Sequence, residues 1–84
     1  MYKVRKRDGR LTEFDLSRIS VAVTKAFDAT ETPQNPDIIN LLTLQVTADF
    51  APKVKDCEIS VEDIQDSVEA VLQRSGYAPV AKAY

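Results

Sequence analysis

Polar and apolar residues alternate along the first fourteen positions, and the spacing then changes to that of helices. The alternation between Tyr2 and Phe14 is interrupted by Asp8-Gly9, a pair that accepts positive φ and is typical of a tight hairpin turn. A bulged three-residue loop at 7–9, with its glycine left-handed, sets Lys3 opposite Glu13. On this register one face of the hairpin carries Tyr2, Val4, Thr12 and Phe14. A two-residue loop would instead place an apolar residue opposite Glu13, so we favour the bulged register.

Apolar residues then recur at helical spacing in three segments, each with its own start signal. Asp15, Asn35 and Ser60 precede these segments and are predicted N-caps, and Pro36 suits the first position of the second helix. The predicted helices cover 16–28, 36 to a stop at Pro52, and 61 to a stop at Gly76. The second helix is expected to be central, because its apolar stripe of Ile39, Leu42, Val46 and Phe50 is widened by Ile38, Leu41 and Leu44.

Two shorter segments complete the predicted fold. Residues 54–59 leave room for an extended piece beside the hairpin, and Pro79 suits the first turn of a fourth helix that ends at Tyr84. Because a terminal helix of one or two turns is unusual, we expect a C-terminally truncated piece of a longer protein. The predicted fold is α+β, a single domain over 1–84 in which an N-terminal β-hairpin, or a three-stranded sheet, packs on three to four helices.

The composition is that of one small globular domain, with 84 residues, 44% hydrophobic and 29% charged. A net charge of -2 argues against a general nucleic-acid binder, and the lack of a long apolar run argues against a membrane span. The single Cys57 excludes an internal disulfide, favours a cytoplasmic protein, and is interpreted as a small buried or edge residue. Without histidine, the chain is expected neither to bind zinc nor to be an enzyme.

Cations are concentrated at the N-terminal end. Six of the eleven basic residues lie within the first eighteen positions: Lys3, Arg5, Lys6, Arg7, Arg10 and Arg18. A tight turn that presents lysine, arginine and backbone amides beside a helix start is a suitable place for phosphates. The alternative is a solvated charged hairpin with cross-strand pairs. For a cluster of cations at a turn, without other evidence, this alternative is more common than phosphate binding.

Groups suited to a nucleobase follow closely in the sequence. Thr12 and Asp15 could contact exocyclic groups, and Val4, Phe14 and Ile19 could flank a ring. Each also has a structural alternative, as a helix cap or as core. A carboxylate accepts from an amino group but repels phosphate, so Asp15 fits the base end of such a site.

Four blocks of this sequence, in order, resemble the ATP-cone family of ribonucleotide reductases. They are Val4-x-Lys6-Arg7-Asp8-Gly9-Arg10, Phe14-Asp15-x-x-Arg18-Ile19, Ile59-Ser60-x-x-Asp63-Ile64-x-x-x-Val68-Glu69, and Val80-Ala81-x-Ala83-Tyr84. Each block alone is weak evidence for the family. Together they span nearly the whole chain, so the resemblance is fairly specific.

The resemblance implies an allosteric regulatory domain in which ATP favours reductase activity and dATP switches it off, with Mg²⁺ accompanying either nucleotide. The implied partners are an adenine nucleotide, the catalytic domain of a parent reductase and, through the cone itself, a homo-oligomer. It places Lys6 and Arg7 on the phosphates. The implied pocket residues are Val4, Lys6, Arg7, Thr12, Phe14, Asp15, Arg18 and Ile19, with Val61 and Gln65 on the third helix.

Two other functions fit the same resemblance. A transcriptional repressor of reductase genes also carries a cone, but a zinc ribbon with four cysteines should precede it and none do here. A degenerate cone that has lost its ligand could serve as an oligomerisation surface. The presence of Lys6, Arg7, Asp15 and Arg18 argues against that interpretation.

Overall fold

The protein folds as a small sheet packed on helices, and the computed structural model describes residues 2–33 and 35–84. The strands are β1 (Lys3–Arg5), β2 (Leu11–Glu13) and β3 (Glu58–Ser60). The helices are α1 (Leu16–Ala29), α2 (Pro36–Phe50), α3 (Val61–Arg74) and α4 (Ala78–Ala83), with a 3₁₀ turn at Ala51–Lys53 after α2. The predicted α+β class is confirmed, with a three-stranded sheet rather than a hairpin alone.

The hairpin adopts the bulged register. Lys3 pairs with Glu13, and Gly9 has a φ of +87°, the left-handed conformation that the turn requires. The Gly9 amide donates to the Lys6 carbonyl over 2.9 Å, and the Lys6 amide donates to the Arg10 carbonyl over 2.8 Å. These two bonds close a loop of three residues, as predicted.

The third strand lies on the other side of β1, so the sheet order is β2-β1-β3. β3 runs parallel to β1, which is possible because α1 and α2 form the crossover between them. A two-residue turn at Asp56 and Cys57, with φ of +53° and +59°, leads into β3. Cys57 is exposed there, which excludes the buried alternative for this residue and leaves that of an edge residue. Its carbonyl accepts from the Lys3 amide.

The predicted caps of the three long helices are confirmed. Asp15 accepts from the Ser17 amide, Asn35 from the Asp37 amide, and Ser60 from the Asp63 amide. α1 extends one residue beyond the predicted end, and α3 ends before Gly76, whose φ is +87°. α2 ends at Phe50, and Pro52 lies in the following 3₁₀ turn. The caps were predictable because each satisfies free amides within its own turn.

The core is formed by one face of each helix together with β3. The buried apolar residues are Ile19, Val23, Ala26, Phe27, Ile39, Leu42, Val46, Phe50, Ile59, Ile64, Val68, Val71, Leu72, Val80 and Ala81. The expected wide stripe on α2 is wrong in part. Leu41 is 51% exposed and Leu44 is 59% exposed, whereas Ile38 is half-buried. At 100° per residue, both leucines project from the side opposite Leu42 and Val46, so α2 buries a single face.

Aromatic rings connect the hairpin to the helices. Tyr2 and Phe14 project from the same face of the hairpin and pack on Phe50 of α2, with ring centroids 6.0 and 5.7 Å from that of Phe50. A second aromatic pair, Phe27 and Tyr77, packs the end of α1 against the segment before α4. Within the described ranges, no helix has the length and apolar character to cross a bilayer.

Candidate functional site

A cavity of about 200 Å³ lies between the hairpin, the start of α1 and the first turns of α3. The residues that line it are Val4, Lys6, Thr12, Glu13, Phe14, Asp15, Arg18, Ile19, Val61, Ile64, Gln65 and Tyr84. The hairpin and α1 supply the first eight of these, and α3 supplies the opposite wall. The sheet makes this meeting possible, because β3 delivers the start of α3 next to β1.

The structure brings nine of the ten predicted pocket residues to this one cavity. The exception is Arg7, which lines a second hollow of about 360 Å³ together with Lys6, Asp8, Val61 and Gln65. Because Lys6, Val61 and Gln65 line both spaces, the second hollow adjoins the cavity at its Lys6 side. That these residues bind a nucleotide stays a prediction.

Three lining residues were absent from the predicted set. Glu13 was assigned only to the cross-strand pair with Lys3, and Ile64 only to the helix core. Ile64 follows Val61 by three positions, so helical spacing could have placed it on the same wall. Tyr84 belongs to the fourth block of the resemblance but was not assigned to the pocket, and it reaches the cavity through the packing of α4.

The inner part of the cavity is apolar. Ile19 and Ile64 are 5% and 8% exposed, and the half-buried Val4 and Phe14 complete the surface from the hairpin. This arrangement can accept a flat apolar ring, since such surfaces supply contact area without demanding hydrogen bonds.

Asp15 supplies a hydrogen-bond acceptor at the edge of that apolar surface. Its Oδ1 accepts from the Ser17 amide over 3.0 Å and from the Ser17 hydroxyl over 2.7 Å. The Ser17 hydroxyl, the Ser17 amide and the charge of Arg18 lower the pKa of Asp15, so the carboxylate is ionised at neutral pH. Its Oδ2 makes no hydrogen bond with the described residues and is available to a ligand.

Of the six cations within the first eighteen residues, four are neutralised by carboxylates and two are not. The pairs are Lys3 with Glu13, Arg5 with Glu58, Arg7 with Glu62, and Arg10 with Asp8. Lys6 and Arg18 form no ion pair within residues 2–33 and 35–84, and both line the cavity. The alternative of a solvated charged hairpin with paired side chains therefore holds for Lys3, Arg5 and Arg10. It does not hold for Lys6 and Arg18.

Arg7 lies across the second hollow and contacts α3. Its Nη2 donates to Gln65 Oε1 over 3.0 Å, and its Nε lies 3.2 Å from Glu62 Oε1. These contacts link the hairpin turn to the first two turns of α3.

Tyr84 supplies an aromatic wall from the end of α4. Burial, followed by the negative charge of Glu69, raises the pKa of its phenol. The hydroxyl therefore stays protonated at physiological pH and can donate a hydrogen bond.

The described residues contain no group of three or more His, Cys, Asp or Glu side chains placed to hold a metal ion. The cavity thus combines an apolar surface, the ionised carboxylate of Asp15, that of Glu13 paired with Lys3, and two unpaired cations. Chemically, these groups suit an aromatic ligand with an amino group at one end and negative charge at the other.

Comparison with protein families matches residues 2–84 to the ATP cone domain. Among curated proteins, the ribonucleoside-diphosphate reductase subunit alpha of Chlamydia pneumoniae is 39% identical over 94% of this chain, which corresponds to 8% of that protein. A vitamin B12-dependent ribonucleoside-diphosphate reductase of Mycobacterium tuberculosis (strain CDC 1551 / Oshkosh) is 41% identical over 98% of this chain and 11% of its own length. The chain therefore spans roughly a tenth of these relatives.

Proposed function

The chain belongs to the ATP cone domain family, and we propose that it is the domain through which ATP or dATP regulates the overall activity of a ribonucleotide reductase. The similar proteins are reductases of both the subunit alpha and the vitamin B12-dependent kinds, so the proposal leaves the reductase class open. Their names favour this function over that of a transcriptional repressor.

The observation that carries the proposal is the pair of unpaired cations beside an apolar surface. Lys6 and Arg18 have no carboxylate partners, although the neighbouring cations are paired. This difference is consistent with a site for the negative charge of a ligand. Val4, Phe14 and Ile19 would hold the adenine ring, and Asp15 Oδ2 would accept from its amino group.

The size of the cavity supports an extended binding mode. Sites for whole drug-sized ligands usually have volumes of about 300–1,000 Å³, so 200 Å³ suits the base and not the entire nucleotide. The phosphate chain would extend past Lys6 into the adjoining hollow, where Arg7 lies. Mg²⁺ would arrive on the phosphates, because it is usually held by phosphate oxygens and water with few protein ligands.

Regulation requires that the two effectors favour different states of the parent protein. ATP and dATP differ by one 2′-hydroxyl, and a ligand shifts an equilibrium only by its unequal affinity for the two states. We propose that the bound effector changes how the cone packs against its neighbour. That neighbour is the catalytic domain of the reductase or a second copy of the cone.

The test is calorimetric titration of the chain with ATP and dATP, with and without Mg²⁺. We expect saturable binding by the unmodified chain and at least about tenfold weaker binding by Lys6→Gln, because a charged group that contacts phosphate is removed. Lys55→Gln is the matched control, since this exposed lysine lies on the turn before β3 and makes the same change in net charge.

The two variants separate the possible outcomes. Equal losses for both would mean that only net charge matters, which would contradict the placement of phosphate on Lys6. An unmodified chain that binds neither effector would contradict the sensor proposal and favour the degenerate cone.

A further inference from the structure

Arg7 is the one predicted phosphate ligand that is already paired within the protein. Its guanidinium is held by two side chains of α3, through the 3.0 Å bond to Gln65 and the 3.2 Å contact with Glu62. We call this three-residue arrangement the clasp. Lys6, by contrast, has no anionic partner among the described residues. The two cations beside the phosphate path are therefore not equivalent before a ligand arrives.

The clasp also lies farther along the path than Lys6. Lys6 lines both the cavity and the second hollow, whereas Arg7 lines only the second hollow. A ligand whose ring lies against Val4 and Ile19 would meet Lys6 with its first phosphate. Only a longer phosphate chain would extend to Arg7.

We propose that Glu62 is a built-in competitor for Arg7, and that a nucleotide opens the clasp only when its phosphate chain is long enough to displace the Glu62 carboxylate. This inference rests on the proposed nucleotide site. A nucleoside triphosphate exchanges the Glu62–Arg7 pair for a phosphate–Arg7 pair, and a monophosphate leaves the clasp closed. Opening removes the ion pair between the hairpin turn and α3 and leaves the Arg7–Gln65 bond, so the same site distinguishes the two kinds of ligand.

The exchange is physically feasible because the pair is weakly held. The side chains of Arg7 and Glu62 are 69% and 52% exposed, and an ion pair between exposed groups is weakened by solvent screening. Phosphate oxygens match the guanidinium fork better than a single carboxylate oxygen at Nε does. Glu62 thus weakens the binding of triphosphates without preventing it.

The experiment compares the affinities of ATP and AMP for the chain and for Glu62→Gln. Removing the competing carboxylate should tighten ATP binding by about two- to fivefold, the size of one exposed ion pair, and leave AMP binding unchanged. Asp66→Asn is the control, because this exposed residue lies one turn farther along α3 and changes the net charge equally. Asp66→Asn should leave the ratio of the ATP and AMP affinities unchanged.

A second arm excludes direct repulsion between Glu62 and the phosphates. In an Arg7→Gln background the clasp is absent, so Glu62→Gln should no longer tighten ATP binding. Direct repulsion would persist in that background. Both substitutions replace exposed side chains, and thermal unfolding of each variant checks that the fold is retained.

Each outcome decides between the alternatives. An unchanged ATP-to-AMP ratio in Glu62→Gln, or an effect that survives in the Arg7→Gln background, overturns the clasp while nucleotide binding stands. If neither the unmodified chain nor any variant binds ATP or AMP, the proposed function fails and the clasp fails with it.

Discussion

Asp15 has an observed role as the N-cap of α1 and a proposed role as an acceptor for the ligand, and the two have different chemical requirements. As the N-cap of α1 it needs one oxygen that accepts from the Ser17 amide, and asparagine can supply that as well. As the acceptor for an adenine amino group it benefits from a full negative charge, which the lowered pKa maintains at neutral pH. Substitutions can therefore separate the two roles.

We expect Asp15→Asn to retain the thermal stability of the chain and to weaken ATP binding by about tenfold, the usual difference between a charge-assisted and a neutral hydrogen bond. Asp15→Ala should lower both the thermal stability and the ATP affinity, because it also leaves amides of the first turn of α1 without an acceptor. Thermal unfolding and calorimetry measure the two effects independently. Equal ATP affinities for Asp15→Asn and the unmodified chain would show that Asp15 is only a cap.

At the scale of elements, polar contacts between helices add to the apolar core. Ser20 and Thr43 share a hydrogen bond between α1 and α2, and Arg74 of α3 donates to Asp49 of α2 over 3.0 Å. The buried Ser67 hydroxyl lies close to the Asp49 carboxylate without reaching regular hydrogen-bond geometry. Ser67 lowers the pKa of Asp49 most, followed by Arg74, so the ionised carboxylate stabilises the contact between α2 and α3.

This lowered pKa predicts a pH-dependent contribution to stability. The ionised Asp49 stabilises the fold above its unfolded pKa of about 3.9, and the contribution is lost as the pH falls through the lower folded value. Asp49→Asn should therefore reduce the free energy of unfolding at pH 7 by about 0.5–1 kcal/mol. Urea unfolding at several pH values measures the difference, which should shrink below about pH 4.

Asp66→Asn is again the control for net charge, because Asp66 is exposed on α3. It should leave stability nearly unchanged at every pH. A difference between Asp49→Asn and the unmodified chain that persists at pH 2 would contradict an origin in the carboxylate charge.

At the scale of the whole molecule, two aromatic clusters stabilise different regions. Phe50 supports the rings of Tyr2 and Phe14, and Phe14 lines the cavity. Phe27 packs on Tyr77 instead and does not line the cavity. Both Phe50 and Phe27 are almost completely buried, with 0% and 1% exposure. They form a matched pair for separating stability from binding.

We expect Phe50→Leu and Phe27→Leu each to reduce the free energy of unfolding by about 1 kcal/mol, because each replaces one large buried side chain by a smaller apolar one. Only Phe50→Leu should also weaken ATP binding, since the support of Phe14 is lost. Calorimetry under conditions where both variants are folded tests this. Similar ATP affinities in the two variants would mean that Phe14 is held in place without Phe50.

Local features of the sequence determined where the three long helices begin and which register the hairpin adopts, whereas β3 lies at 58–60 and not over the predicted 54–59. The caps at Asp15, Asn35 and Ser60 act on amides two or three positions away, and the register of the hairpin follows from one short loop. Such interactions depend on neighbours along the chain, so spacing and residue type are sufficient to predict them. The same holds for the concentration of cations near Gly9.

Only the tertiary structure decided which of those cations are free and which surfaces are covered. Arg7 reaches Gln65, 58 positions away, because β3 runs parallel to β1 and places α3 beside the hairpin. Leu44 is exposed although it suits a core, because burial depends on what packs against a helix face. Partners that are distant along the chain meet only in the folded protein, and the sequence pattern alone does not specify them.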